Sequence, residues 1–358
     1  MLVYYTVFII TILLCGIIPA KTDKEYLGKL IFVFLPLFLF GALRVDFGID
    51  YAGYELDYYQ FHTAGVPDHE AHSEVGYQWI EILMPSWRSL VSLTAFMLCL
   101  SWITLCYRYI NGNRLILTVC LLFITGNFTI YTPLVTMRNG MAITCFLVSL
   151  PFIIERKYIY ALTVAFAAHY IHSSVLLFAP IALLVGINKT ISRREIIIWT
   201  SVFIIFFISG AAGIIDKLTM FINTYFNRYD TVLESMKESE HVSWLAGATN
   251  ALLIVGIFSV FYNNRNALSK AENSIFRISF IYLLCPYLGA LGGARMQCYF
   301  LPLFVVAIVK MYDLQWQSKY VKLGFYCLVF FKFFYAFFYV WQWNNPYFVF
   351  QTYKSIFD

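Results

Sequence analysis

The sequence predicts an all-α polytopic integral membrane protein of about 12 transmembrane helices, with two larger extracytoplasmic loops. Three observations predict it. Of 358 residues, 61% are hydrophobic, 20% aromatic and only 13% charged, and the mean hydropathy is +0.71; a soluble domain carries about 25% charge. Apolar runs of nearly membrane-crossing length recur along the whole chain. Basic residues fall preferentially between alternate pairs of those runs. Together these exclude a soluble enzyme and a disordered chain. The net charge of +5 is small and unclustered, so no nucleic-acid partner is expected and membrane lipid is the first expected contact.

A membrane helix needs about 20 mostly apolar residues. Reading between charged or Gly, Pro and Asn breaks gives runs at 2–20, 28–44, 88–107, 115–133, 138–154, 157–170, 173–187, 196–213, 245–262, 275–291, 297–311 and 320–341. The first run has no basic segment before it; Lys21 and Lys24 follow instead. It is therefore read as a retained span and not as a cleaved signal. The stretch 157–187 is two short runs joined at His169-Tyr170-Ile171-His172-Ser173-Ser174, either two spans or one broken helix. Charge favours splitting it. With the N-terminus outside, the inner connections hold Lys21, Lys24, Lys29, Arg108, Arg114, Arg156 and Lys157, then Lys189, Arg193, Arg194, Arg265 and Lys270, then Arg277, Lys310, Lys319 and Lys322. Merging the two runs would put Lys189, Arg193 and Arg194 outside, against the positive-inside bias.

The chain is thus read as a single transmembrane domain over 1–358, with extracytoplasmic loops at 45–87 and 214–244. All six histidines and most acids fall on that outer side, so titratable chemistry is expected there. The eight cysteines nearly all lie inside predicted spans and are read as small apolar fillers. The His69/His72 and His169/His172 pairs have no identifiable further ligands, so neither a metal nor a cofactor is expected. No internal repeat is visible, so the repeat architecture of many transporters gains no support.

Of the basic residues outside those inner connections, three stand out. Arg44 ends the second run, Arg138 opens the fifth within Thr136-Met137-Arg138-Asn139-Gly140, and Arg295 follows Gly292-Gly293-Ala294. Each lies at an outer helix end beside Gly or Asn. Pairing with Asp46 or Asp50, or snorkelling to headgroups, would account for any one of them. Three together point to an anion site, because a planar guanidinium grips phosphate oxygens at two points. At headgroup depth the natural anion is a lipid-linked phosphate or pyrophosphate. Gly140, Gly289, Gly292 and Gly293 would let the helix ends open around it. His169 and His172 would share a helix face, as interfacial histidines or as a base. Asp50 and Tyr51, with Tyr54 following, fit sugar binding by a carboxylate among aromatic rings, or equally an aromatic belt with solvated acids. Loop 214–244, with Tyr225, Arg228, Tyr229, Glu234 and Glu238, reads either as a lid or as a solvated connector.

The string Arg44-Val45-Asp46-Phe47-Gly48-Ile49-Asp50-Tyr51, with Tyr54, resembles the "R…G-x-D-Y…Y" start of the first outer loop in EpsG-type polysaccharide polymerases. These are Wzy-like proteins of bacterial capsule, exopolysaccharide and O-antigen (lipopolysaccharide) assembly. Arg138-Asn139-Gly140-Met141-Ala142 resembles the family's "N-G-x-R-Q…A" element, with the order changed and the Gln absent. His172-Ser173-Ser174 resembles its "H-x-S" element; Arg295 with Tyr299-Phe300, and Pro346-Tyr347, resemble its late "R…YF" and "PY" features. The resemblance implies transfer of a growing undecaprenyl-pyrophosphate-linked glycan onto the next lipid-linked repeat unit, at the outer face of the inner membrane and without a metal. A chain-length regulator protein is a further candidate partner. On this reading Arg44, Arg138 and Arg295 bind pyrophosphate, His172 or Asp50 takes the acceptor proton, and Tyr51, Tyr54, His169 and Tyr299 contact glycan. A flippase would want cations deep in several spans, and only Lys332 qualifies. An O-antigen ligase would want its dominant outer loop late in the chain.

Overall fold

The computed structural model describes residues 2–48, 50–64, 74–186, 189–211, 244–287, 293–335 and 353–357. The chain divides into two compact units, 1–184 with 333–358, and 185–332.

The first unit opens with α1 (Leu2–Ile17) and α2 (Asp23–Ala42), the latter capped by the Thr22 hydroxyl accepting from Glu25 N–H. On α2, Leu30, Val33, Phe34 and Leu37 are buried, while Leu27, Ile31, Leu35 and Leu39 are exposed at every fourth position. A helix apolar all round needs an apolar solvent on its outer face. Among the described residues, α2, α5 (Trp87–Tyr109) and α8 (Met137–Ile154) are long and apolar enough to cross a membrane. The chain is therefore a helical membrane protein.

Each of the twelve apolar runs carries helix. Before α8 come α3 (Tyr51–Ala64), α4 (Val75–Leu83), α6 (Leu115–Ile124) and α7 (Thr132–Val135). After it come α9 (Tyr158–Ile171) and α10 (Val175–Val185). The run 115–133 is not one straight helix. It bends by 88° between 112–124 and 127–135. The cause is local: the Thr129 hydroxyl donates to Leu122 O and Thr125 O across a π-helical turn, and Pro133 has no N–H to extend the ladder. The stretch 157–187 does break, with α9 ending before His172, whose backbone is extended at φ −161°.

Loop 45–87 is largely helical, holding α3 and α4. Its start is clamped by the C-terminal tail. A short antiparallel ladder pairs β1 (Arg44–Val45) with β2 (Lys354–Ser355), and the Tyr353 ring stacks on Phe40 at 4.6 Å.

The second unit holds α11 (Arg193–Ala211), α12 (Trp244–Asn264), α13 (Lys270–Leu284), α14 (Gly293–Met311) and α15 (Lys319–Tyr335). Ser269 and Glu272 form a reciprocal cap on α13. Two of its ion pairs are Arg277 with Glu195, and Lys310 with Glu272 at 2.7 Å. Lys332 donates to Asn250, whose amide donates in turn to the Tyr287 hydroxyl. The eight cysteines are free thiols, five of them buried. Loop 214–244, apart from its last residue, lies outside the described residues, as do His69 and His72.

Candidate functional site

One carboxylate joins two of the motif elements of the first unit, those of Arg138 and His172. Glu74, at the N-cap of α4, leaves its own helix end uncapped by its side chain. Its Oε1 instead accepts from His172 Nδ1 at 2.6 Å and from Ser173 N–H at 3.2 Å. Its Oε2 accepts from Arg138 Nη1 at 3.1 Å. Beside this junction the Ser174 hydroxyl donates to Asn139 Oδ1 at 3.3 Å, so His172-Ser173-Ser174 docks along Arg138-Asn139. The guanidinium also lies over two ring faces, Tyr54 at 5.6 Å and Tyr77 at 5.9 Å from the centroids. Such contacts favour a cation in a partly dry place.

Two close approaches make the junction possible. At Gly76 on α4, a Cβ would press into the Tyr170 backbone near the end of α9, so only glycine lets α4 come near enough for Glu74 to reach His172. At Gly140 on α8, a Cβ would overlap the Pro133 carbonyl, so the turn carrying Arg138 packs directly on α7. The sequence expectation of a loosened helix end at Gly140 is replaced by this tight contact. Gly289 and Gly292 lie outside the described residues.

The electrostatics separate the two acids of α4. Burial alone would raise the Glu74 carboxyl, but hydrogen bonds from His172, its own backbone N–H and Ser173 outweigh it and hold the group down to about 2. Glu74 is therefore a fixed anion. Nδ1 of His172 is then the protonated nitrogen facing it, which leaves Nε2 as the basic one. Glu81, two turns along α4 and 2% exposed, is pushed the other way, to about 7, by burial and then by Asp57, against the pull of Arg138. Its Oε1 and the Tyr77 hydroxyl are both buried without a hydrogen-bond partner.

The remaining expected site residues fall elsewhere. Arg44 is fully buried; its terminal nitrogens donate to Gly41 O and to Leu134 O at 2.9 Å. Tyr51 is buried too, its hydroxyl accepting from Trp87 Nε1 at 2.9 Å. Asp50 sits in the turn leading into α3, its carbonyl accepting from Tyr54 N–H. His169 and His172 do not share a helix face, because α9 stops between them; His169 lies beside the Tyr170 ring with its Nδ1 buried and unpartnered. In the second unit, Tyr299 is fully buried. The backbone of Arg295 belongs to α14, and its side chain lies outside the described residues. Among the described residues, no group of three or more His, Cys, Asp or Glu is placed to hold a metal.

Glu74 was not singled out in the sequence. Its signal was faint: an acid directly before Val75-Gly76-Tyr77, at the start of a helix whose glycine faces a neighbour.

A helical membrane protein with an imidazole, a carboxylate and a guanidinium gathered at one end of its first unit is the class that fold and site define. The family model for the EpsG family matches residues 29–355, nearly the whole chain. This protein belongs to the EpsG family, which makes it a membrane protein of polysaccharide biosynthesis. No curated protein and no solved structure matches the chain.

Proposed function

We propose that the chain is a membrane glycosyltransferase that polymerises undecaprenyl-pyrophosphate-linked oligosaccharide repeat units at the periplasmic, outer face of the bacterial inner membrane. The observation that carries this reading is the Glu74 carboxylate bridging His172 and Arg138. A sugar carried on pyrophosphate needs little acid catalysis, since the departing oxyanion is already stable. It needs a base for the acceptor hydroxyl and fixed positive charge where the leaving group separates. Glycosidases use two carboxylates because an alkoxide leaves.

In the proposed step, Nε2 of His172 takes the acceptor hydroxyl proton as that oxygen bonds to the anomeric carbon of the donor. The bond from that carbon to the pyrophosphate oxygen breaks, and its electron pair stays on undecaprenyl pyrophosphate. One displacement inverts the anomeric centre. Glu74 stabilises the imidazolium that forms. Arg138 faces the pyrophosphate, and Arg295 is retained as a separate candidate for phosphate binding. Because guanidinium groups supply the charge, the step calls for no metal. Tyr54, over which Arg138 lies, and His169 remain the assigned glycan contacts, and Tyr299, fully buried, is not kept among them. Arg44 and Tyr51 are assigned to bracing the loop, and His172 is preferred to Asp50 as base because a carboxylate orients its ring.

The surface glycan of a deletion strain tests this. The reading expects a one-repeat product, restored to polymer by the wild-type chain and not by His172→Ala. Unmodified core with accumulated polymer would make it a ligase. Intermediates trapped inside would make it a flippase.

A further inference from the structure

A shallow, open groove of about 510 Å³ runs along the N-terminal half of α5 beside Phe38 of α2. Its walls are Phe38, Leu93 and Phe96, and its head is Arg88 with Ser89 and Ser92. Arg88 Nη1 donates to Arg44 O at 2.7 Å, and among the described residues no carboxylate pairs with Arg88. A guanidinium has five N–H donors, so most of this group's capacity is open. It also sits in the first turn of α5, where the unpaired backbone N–H groups add positive potential. The Ser89 hydroxyl pairs with the Ser86 hydroxyl at 2.9 Å, so a cation and the Ser92 hydroxyl beside an apolar surface match an anionic head on a hydrocarbon chain. A neutral lipid would leave Arg88 unanswered.

The groove also lies close to the Glu74 junction. Met84 lines it and packs against the cluster of Tyr51, Tyr77, Trp87 and Met137. Met137 precedes Arg138 in the chain, and Ile171, which precedes His172, packs on the same cluster. Groove and junction therefore border the same hydrophobic cluster.

We infer that this groove seats the lipid end of the acceptor repeat unit, with its phosphate on Arg88 and Ser92 and its first isoprene units over Phe38, Leu93 and Phe96, while Arg138 faces the pyrophosphate of the donor. The inference rests on the polymerase reading and adds to it a binding place for the lipid carrier.

Binding of a polyprenyl phosphate to the full-length protein in nanodiscs, followed by native mass spectrometry, tests it. Arg88→Ala should weaken binding about tenfold or more, as loss of charge-assisted hydrogen bonds does. Ser92→Trp fills the groove without touching the bond from Arg88 to Arg44, so its matching loss would report on the groove and not on folding. Unchanged binding in both variants overturns the proposal. Equal displacement by phosphatidylglycerol would make the groove a bulk-lipid seat, and overturns it as well. His172→Ala should bind polyprenyl phosphate like the wild type. If no polymer forms in any protein while binding still depends on Arg88, the polymerase reading fails and the lipid seat stands.

Discussion

Glu74→Gln tests the site most sharply, because it keeps the shape and removes one acceptor. The carboxylate presents two accepting oxygens, Oε1 to His172 Nδ1 and Ser173 N–H and Oε2 to Arg138. Glutamine has one carbonyl oxygen and one NH2. If the oxygen stays with His172, the NH2 meets the Arg138 donors, and a charge-assisted bond worth about 1.5–3 kcal/mol is lost. If the amide turns, the NH2 faces Nδ1, which must then accept, and Nε2 carries the proton and cannot act as base. Loss of an orienting carboxylate in this way costs about 10⁴ in kcat in the serine proteases, and general-base catalysis itself is worth about 10²–10⁴. We expect a fall of about 10²–10⁴ in the rate of polymerisation of purified lipid-linked repeat units. The decisive readout is a cycle with His172→Ala. If Glu74 acts through His172, adding Glu74→Gln to His172→Ala costs little further, since residues acting as a unit are not additive. Additive losses, or near-normal rates in Glu74→Gln, would refute the reasoning.

Gly76→Ala should part α4 from Tyr170, cost roughly 1–3 kcal/mol of stability by overpacking, and lower polymerisation with it; a thermal melt equal to wild type would show that the approach is not tight. Glu81 gives a pH signature. Its carboxyl is raised from 4.5 to about 7, so its contribution to stability is complete below pH 4.5 and is lost as pH rises through 7, about 3 kcal/mol in all. Melts across that window should flatten in Glu81→Gln, and an unchanged slope would contradict the burial argument. Arg295→Ala should cost about 2–4 kcal/mol of barrier, as loss of one oxyanion donor does, and Arg295→Lys should recover only part of it; near-normal chain growth in both would remove Arg295 from the site.

Much of the fold was legible because lipid imposes a simple rule on sequence: apolar runs become helices, and among the described residues each of the twelve carries helix, three of them long and apolar enough to cross a membrane. The bend in 115–133 was not, since it depends on threonine hydroxyls turning back onto carbonyls and on Pro133, which hydropathy does not register. The helices α3 and α4 were read as loop because their aromatic and acidic composition hides the pattern. Of the site, Arg138 and His172 stood out by position, one against the charge bias and one at a break between runs. Glu74 did not, because its role arises from a contact between α4 and α9 that only packing creates. Arg44 stood out for the same reason as Arg138, yet its guanidinium serves two backbone carbonyls. A buried arginine at a helix end has the same signature in sequence whether it holds the chain or a ligand.

Polymerisation by the purified wild-type chain and by His172→Ala, side by side on lipid-linked repeat units, is the most direct measurement. The account predicts a ladder of lengthening glycan from the first and the single starting unit from the second, with both proteins melting alike. A ladder from His172→Ala, grown at the wild-type rate, would contradict it.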